Sequence, residues 1–250
     1  MLVPELEKRL KEKELFKLFA DVEIPLINVL AEMELYGVKL DLKLLASLSK
    51  DLDKRLRLLM RDIYKLSGSR FNINSPKQLS AVLFETLKLP VIKRTKTGIS
   101  TDEEVLSKLA ERHKLPGLLL EYRQLTKLKT TYIDPLPLLV DTKTGRLHTS
   151  FNQCATETGR LSSSNPNLQN IPIRTEIGSK IRRGIIASDK NSLLLSCDYS
   201  QIELRILAHL SGDDNLIKAF KSGSDIHKIT AGLIYGVEEK DITTQMRDTA

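Results

Sequence analysis

Asp198 stands where the apolar run of residues 193–197 gives way to a helical pattern. An aspartate at the end of a buried strand is held on rigid backbone, a place from which a carboxylate can hold Mg²⁺ in a phosphate-handling enzyme. Helix capping and turn formation call for the same residue type at the same place. Two other stretches suit binding. Residues 156–170 form a polar loop, compatible with a ligand surface or with a solvated turn. After Asp41, a long segment carries Lys43, Lys50, Lys54, Arg55, Arg57, Arg61 and Lys65 against Asp51, Asp53 and Asp62. Such a face is either solvated or able to track phosphates. Cys154 and Cys197 lack the spacing of a zinc site or disulfide framework, and are expected to be buried as small apolar residues.

Helices must position most of these groups. Pro25 near a helix start and Gly37 just past its end bracket a helix with Ile27, Leu30 and Met33 on one stripe. Asp41 is the expected N-cap of the longer helix. Its Leu45, Leu48, Leu52, Leu56, Leu59, Ile63 and Leu66 keep one stripe aligned for about six turns. Ser75-Pro76-Lys77-Gln78 and Thr101-Asp102-Glu103-Glu104 fit capping boxes that start two short helices. Residues 89–99 between them read as a basic loop with Lys93, Arg94 and Lys96. Pro116 opens a helix reaching about Thr131, with Leu118, Tyr122, Leu125 and Tyr132 near one stripe and Arg123, Lys127 and Lys129 beside it.

Beyond Asp134-Pro135 the texture changes. Leu147, Thr149 and Phe151 alternate with His148, Ser150 and Asn152, as in a half-buried strand after a turn at Gly145. Residues 181–187 and 193–197 read as two more strands, the second central. Ile202, Ile206, Leu207 and Leu210 then return to helical spacing. The local order is strand, Asp198, helix.

The chain has 250 residues, 41% hydrophobic and 28% charged, an ordinary globular composition. No apolar run approaches the roughly 18–20 residues of a membrane helix, and the N-terminus lacks the apolar stretch of a secretory signal. A protein working inside a cell is expected. The net charge of +7 makes a polyanionic partner plausible. Residues 1–140 hold 25 Lys and Arg against 19 Asp and Glu, whereas residues 141–250 hold 14 against 13. The positive excess therefore lies in the helical half.

Asp198-Tyr199-Ser200-Gln201-Ile202-Glu203-Leu204-Arg205 closely resembles the first catalytic motif of family A DNA polymerases. The segment running from Thr158-Gly159-Arg160-Leu161 through Asn165-Pro166-Asn167-Leu168-Gln169-Asn170 to Ile171-Pro172 resembles that family's template-primer loop. The helical half, including Tyr122-Arg123-Gln124-Leu125 and Tyr132-Ile133-Asp134-Pro135, resembles its thumb. The resemblance implies an α+β right-hand fragment: a helical thumb, part of an antiparallel palm sheet and the first helices of the fingers. Its expected divisions are residues 1–20 as the tail of a link to an exonuclease domain, 21–140 as mainly thumb, 141–210 as partial palm and 211–250 as the start of the fingers.

It also implies DNA-templated DNA synthesis in replication and repair: a primer 3′-hydroxyl attacks the α-phosphate of a deoxynucleoside triphosphate, with two Mg²⁺ ions as cofactors. By position, Asp198 is the catalytic metal ligand, joined by the main-chain carbonyl of Tyr199. Gln201, Glu203, His227 and Arg247 are the expected dNTP contacts, with Glu203 excluding a ribose 2′-hydroxyl. Arg160, Asn167, Gln169, Asn170 and Arg174 are the expected DNA contacts, and Lys127, Asn152 and Gln153 weaker ones. Minor-groove acceptors look nearly alike in every correct base pair, so such contacts can check pairing without reading sequence. The implied partners are primer-template DNA and dNTPs, the state a monomer, and the setting the bacterial cytoplasm beside the nucleoid, away from membranes.

The family's lysine, aromatic and Gly-Tyr continuation of the fingers helix, and its later His-Asp-Glu motif, do not occur in these residues. A partial chain, inactive alone, is expected from this. The alternative is a noncatalytic remnant that binds primer-template DNA.

Overall fold

A computed structural model describes residues 2–96, 98–173, 175–223 and 225–249, leaving aside the side chains of Glu239 and Asp248. The chain divides into two units, one ending at Leu193 and the other starting at Leu194.

In the first unit α1 (Val3–Glu12) and α2 (Phe16–Leu18) lead through a π-helical turn to α3 (Ile24–Tyr36). Pro25 stands in the first turn of α3 and Gly37, at φ 61°, ends it. Only Leu30 of its apolar stripe is buried; Ile27 and Met33 stay about half exposed at 50% and 49%. The helix is apolar on more than one side, and one side suffices for its neighbours here. After β1 (Lys39–Leu40), the Asp41 carboxylate accepts from Leu44 N at 2.9 Å and starts α4 (Leu42–Ser67). Leu45, Leu48, Leu52, Leu59 and Ile63 are buried along it, with Leu56 and Leu66 half-buried against the same core.

That core is completed by α5 (Pro76–Ser80), the π-helical Ala81–Thr86, α6 (Glu103–Ala110) and α7 (Lys114–Leu128). Leu79, Leu83, Leu106, Leu115 and Leu119 are fully enclosed. Full burial of each such side chain contributes roughly 1.5–3 kcal/mol. The two caps differ in detail from their sequence patterns. Ser75 accepts from Gln78 N at 3.4 Å, but the Gln78 carboxamide accepts from Asn72 N, so the box does not close on Ser75. Asp102, not Thr101, caps α6, because its carboxylate reaches Val105 N at 2.9 Å. The basic loop between them forms a short hairpin, β2 (Arg94–Thr95) with β3 (Gly98–Ile99). Beyond α7 a wide turn, Lys129–Ile133, runs into α8 (Pro135–Leu138).

Leu147, fully buried, bridges to Val38 and Val140. β4 (Ser150–Asn152) pairs antiparallel with β5 (Ser162–Ser164), with Phe151 opposite Ser163. Thr175 caps α9 (Glu176–Arg183), and β6 (Ile185–Ile186) pairs antiparallel with β1. The strand expected at residues 181–187 is therefore shortened to Ile185–Ile186, because residues 181–183 close α9. The Thr175 hydroxyl satisfies Gly178 N, and Ile177 and Ile181, four apart, both pack on the core.

The second unit consists of α10 (Ile202–Ser211), α11 (Asp214–Lys221), α12 (Ile226–Tyr235), a 3₁₀ turn at Glu239–Asp241 and α13 (Thr244–Thr249). Residues 193–197 form no strand; Leu193 is 94% and Leu195 87% exposed. A strand exists only through a partner's hydrogen bonds, and no described strand pairs here. Cys154 and Cys197 are both exposed, which corrects the expectation of burial: Cys154 lies just past the end of β4 and Cys197 in this unpaired stretch.

Candidate nucleic-acid and nucleotide interface

Buried hydroxyls shape the loop after β5. Ser163, 4% exposed, accepts from Leu168 N at 3.1 Å and Gln169 N at 3.3 Å. Thr149, also buried, donates to Pro166 O at 2.7 Å, with Ser164 O at 3.1 Å. The Tyr132 hydroxyl donates to Asn170 O. The Asn167 carboxamide oxygen accepts from Gln169 N at 3.0 Å and Asn170 N at 3.2 Å, and Gln169 Nε2 donates to Leu161 O at 3.1 Å.

Of the expected DNA contacts, Asn167, Gln169 and Asn170 lie in this loop and Arg160 just ahead of β5, all four exposed. Asn167 and Gln169 use their carboxamides to hold the loop itself. Asn152 likewise accepts from Cys154 N at 2.8 Å. Gln153 turns toward α3, donating to Glu23 O at 3.0 Å and to the Glu23 carboxylate at 2.7 Å. Lys127 is exposed on α7, remote in sequence from the loop. Arg174 lies outside the described residues. Thr149, Ser163 and Tyr132 were not singled out as site residues from sequence. A signal existed: Thr149 occupies the inward register between Leu147 and Phe151, where a hydroxyl needs a partner.

In the second unit, Asp198 and Tyr199 are exposed just ahead of Gln201, whose φ of 52° turns the chain into α10. Glu203 follows in the first turn of α10, exposed. Arg205 donates to Ser200 O at 2.9 Å and stacks on the Phe220 ring at 4.5 Å, tying the start of α10 to α11. Asp225 joins two of the expected dNTP contacts. One carboxylate oxygen accepts from Arg247 Nε at 2.7 Å and the other from His227 N at 3.0 Å, capping α12. The Arg247 guanidinium holds the Asp225 carboxyl below its ordinary range, against the opposing effect of burial. Sequence reasoning did not assign Asp225, although Asp two residues before His at a helix start is a capping pattern.

The donors fall short of a two-ion magnesium site. Asp198 offers one carboxylate and Tyr199 one carbonyl, and no cluster of three or more His, Cys, Asp or Glu suited to a metal occurs among the described residues. Mg²⁺ demands octahedral oxygen coordination, usually with one or two carboxylates and substrate phosphates.

A helical unit bearing a pre-shaped polar loop, followed by a carboxylate at the head of a helix and an Arg–Asp–His arrangement, suits a protein that handles nucleic acid and nucleotide. Residues 42–250 match the model described as DNA polymerase family A, and the chain belongs to that family. It is 52% identical over 241 residues to DNA polymerase I of Geobacillus stearothermophilus, covering 96% of this chain and 28% of that protein. It is 53% identical over 248 residues to the thermostable DNA polymerase I of Thermus thermophilus, covering 98% and 30%. Among solved structures, the POL domain of Pol1 from M. smegmatis in complex with DNA primer-template and dNTP superposes with a TM-score of 0.89 at 41% identity, covering 98% of this chain and 43% of that one. The chain thus spans less than a third of the length of these curated relatives. Its helices and short antiparallel ladders are those of a partial right-hand polymerase fold.

Proposed function

We propose that this chain supplies the primer-template grip and part of the nucleotide site of a DNA-directed DNA polymerase that works in replication and repair as a monomer. The carrying observation is the likeness, over 98% of the chain, to a polymerase domain whose structure holds primer-template and dNTP. In this reading residues 21–140 act mainly as thumb, 141–210 as part of the palm and 211–250 as the start of the fingers, with residues 1–20 linking to a preceding domain. Arg160, Asn170 and Arg174 face the duplex, supported by Asn167 and Gln169. Lys127 adds a phosphate contact, and Asn152 and Gln153 hold the strand end that carries the loop.

Asp198 is the catalytic carboxylate, with Tyr199 offering its carbonyl. Magnesium, when bound, would supply charge neutralisation at the triphosphate, and Asp198 is one of the carboxylates that would share it. His227 and Arg247 receive the triphosphate, where a guanidinium gives a planar fork and a histidine a short donor. Gln201 lies beside it, and Glu203 closes the sugar pocket to a 2′-hydroxyl.

The donor shortage favours a second statement about this stretch taken alone: it binds primer-template DNA without extending it. Primer extension by the purified chain, with host polymerase excluded, tests both. Binding without extension is expected, and Asp198→Ala in a complete enzyme built around this chain should abolish extension while leaving DNA affinity within twofold. Template-dependent extension by the 250 residues alone would overturn the second statement, and extension surviving Asp198→Ala would overturn the first.

A further inference from the structure

We infer that Tyr132 is a positioning residue for primer-template binding, acting through a hydroxyl that aims Asn170; this rests on the reading of Asn170 as a DNA contact. Three of the loop's carboxamides, Asn167, Gln169 and Asn170, are the expected duplex contacts. Two are turned inward: Asn167 accepts from Gln169 N and Asn170 N, and Gln169 donates to Leu161 O. Asn170 is exposed, and its carboxamide bonds to no described residue, whereas both its backbone polar groups are tied. Its N–H goes to Asn167 at 3.2 Å and its carbonyl to the Tyr132 hydroxyl at 2.5 Å. The backbone is fixed from two sides and the side chain is presented.

Tyr132 comes from a rigid element 38 residues earlier. Its ring is 7% exposed within the core. The wide turn that carries it is anchored by Lys129, whose ammonium, on a side chain 13% exposed, lies 2.9 Å from Asp134, 2.7 Å from Ser49 Oγ and 3.3 Å from Asp53. A hydroxyl on so fixed a ring can hold a loop carbonyl in one place before any ligand arrives, which removes ordering cost from binding. Phenylalanine keeps the packing and removes only that bond.

The test uses the 250-residue chain, a fluorescein-labelled hairpin primer-template DNA and anisotropy titration of wild type, Tyr132→Phe, Asn170→Ala and the double variant. Loss of one hydrogen bond at the loop is expected to weaken binding about fivefold in Tyr132→Phe. Because Tyr132 acts through Asn170, the double variant should bind within twofold of Asn170→Ala alone. A purely structural role would instead add its full factor in the double variant. Wild-type affinity in Tyr132→Phe, or a double variant more than twofold weaker than Asn170→Ala, overturns the inference. Wild-type affinity in Asn170→Ala overturns the contact on which it rests, and no binding by the wild-type chain overturns the primer-template reading itself.

Discussion

Gly37→Ala should destabilise the first unit by about 2–5 kcal/mol, and the figure can be built from two parts. Gly37 has φ 61° and ψ −174°, a region that residues with a Cβ avoid at a cost of roughly 1–3 kcal/mol. An added Cβ would also lie 2.7 Å from Leu147 O and from His148 Nδ1. Neither neighbour yields easily. Leu147 O accepts from Val38 N at 2.8 Å, and the His148 ring is held between Glu34 O and Thr144 Oγ1 at 2.7 and 2.8 Å. Shifting them loosens the bridge that leads into β4, at about another 1–2 kcal/mol for strained or broken hydrogen bonds.

Gly68→Ala is the internal control. It too has positive φ, 71°, but an added Cβ meets nothing within 4 Å, so only the conformational cost of about 1 kcal/mol remains. Urea unfolding of the chain, followed by helical circular dichroism, reads both variants. Equal losses at the two glycines, or a loss below about 1 kcal/mol at Gly37, would refute the steric reasoning.

Three further outcomes are expected. Replacing Glu203 by Ala in a complete enzyme built around this chain should increase ribonucleotide incorporation, measured as the ratio of kcat/KM for dNTP and rNTP; an unchanged ratio removes the gate assignment. The Lys93 ammonium, then the Val105 backbone N–H, hold the Asp102 carboxyl down to about 2, below its unfolded value. The stability it contributes is present above about pH 4 and disappears as the pH falls to about 2, so urea midpoints of wild type and Asp102→Asn should differ at pH 5 and converge by pH 2. A difference persisting at pH 2 would contradict this. Finally, Asp134→Ala leaves the nearly buried Lys129 ammonium underpaired and should cost more than Lys129→Met, which removes the charge with its partners' need for it. By thermal unfolding the expected excess is on the order of 1 kcal/mol, reduced because Asp134 is 42% exposed; the reverse order would show that the ion pair does not hold the turn.

Local signals were legible wherever the deciding groups lie within a few residues of one another. Asp41 and Ser75 cap helices through their own side chains, and the α4 leucine stripe meets the core because 3.6-residue periodicity sets which side chains share a face. The motif around Asp198 and the loop through Asn170 were likewise readable as strings of residue types. Residues 193–197 show the limit: an apolar run states a preference for a sheet but cannot supply the partner strand. The exposed Cys154 and Cys197 mark the same limit, since burial belongs to the surroundings.

The sequence by itself determined the family, the helical character of the first 140 residues and the residues proposed to meet DNA, nucleotide and metal. Only the tertiary structure decided which of those groups are occupied. Asn167, Gln169 and Gln153 turn their carboxamides to the protein, Asp225 gathers Arg247 and the start of the His227 helix, and Tyr132 reaches across 38 residues to Asn170. The physical reason is that a polar side chain takes whichever partner the fold brings within about 3 Å, and a partner distant in the chain leaves no mark in local spacing.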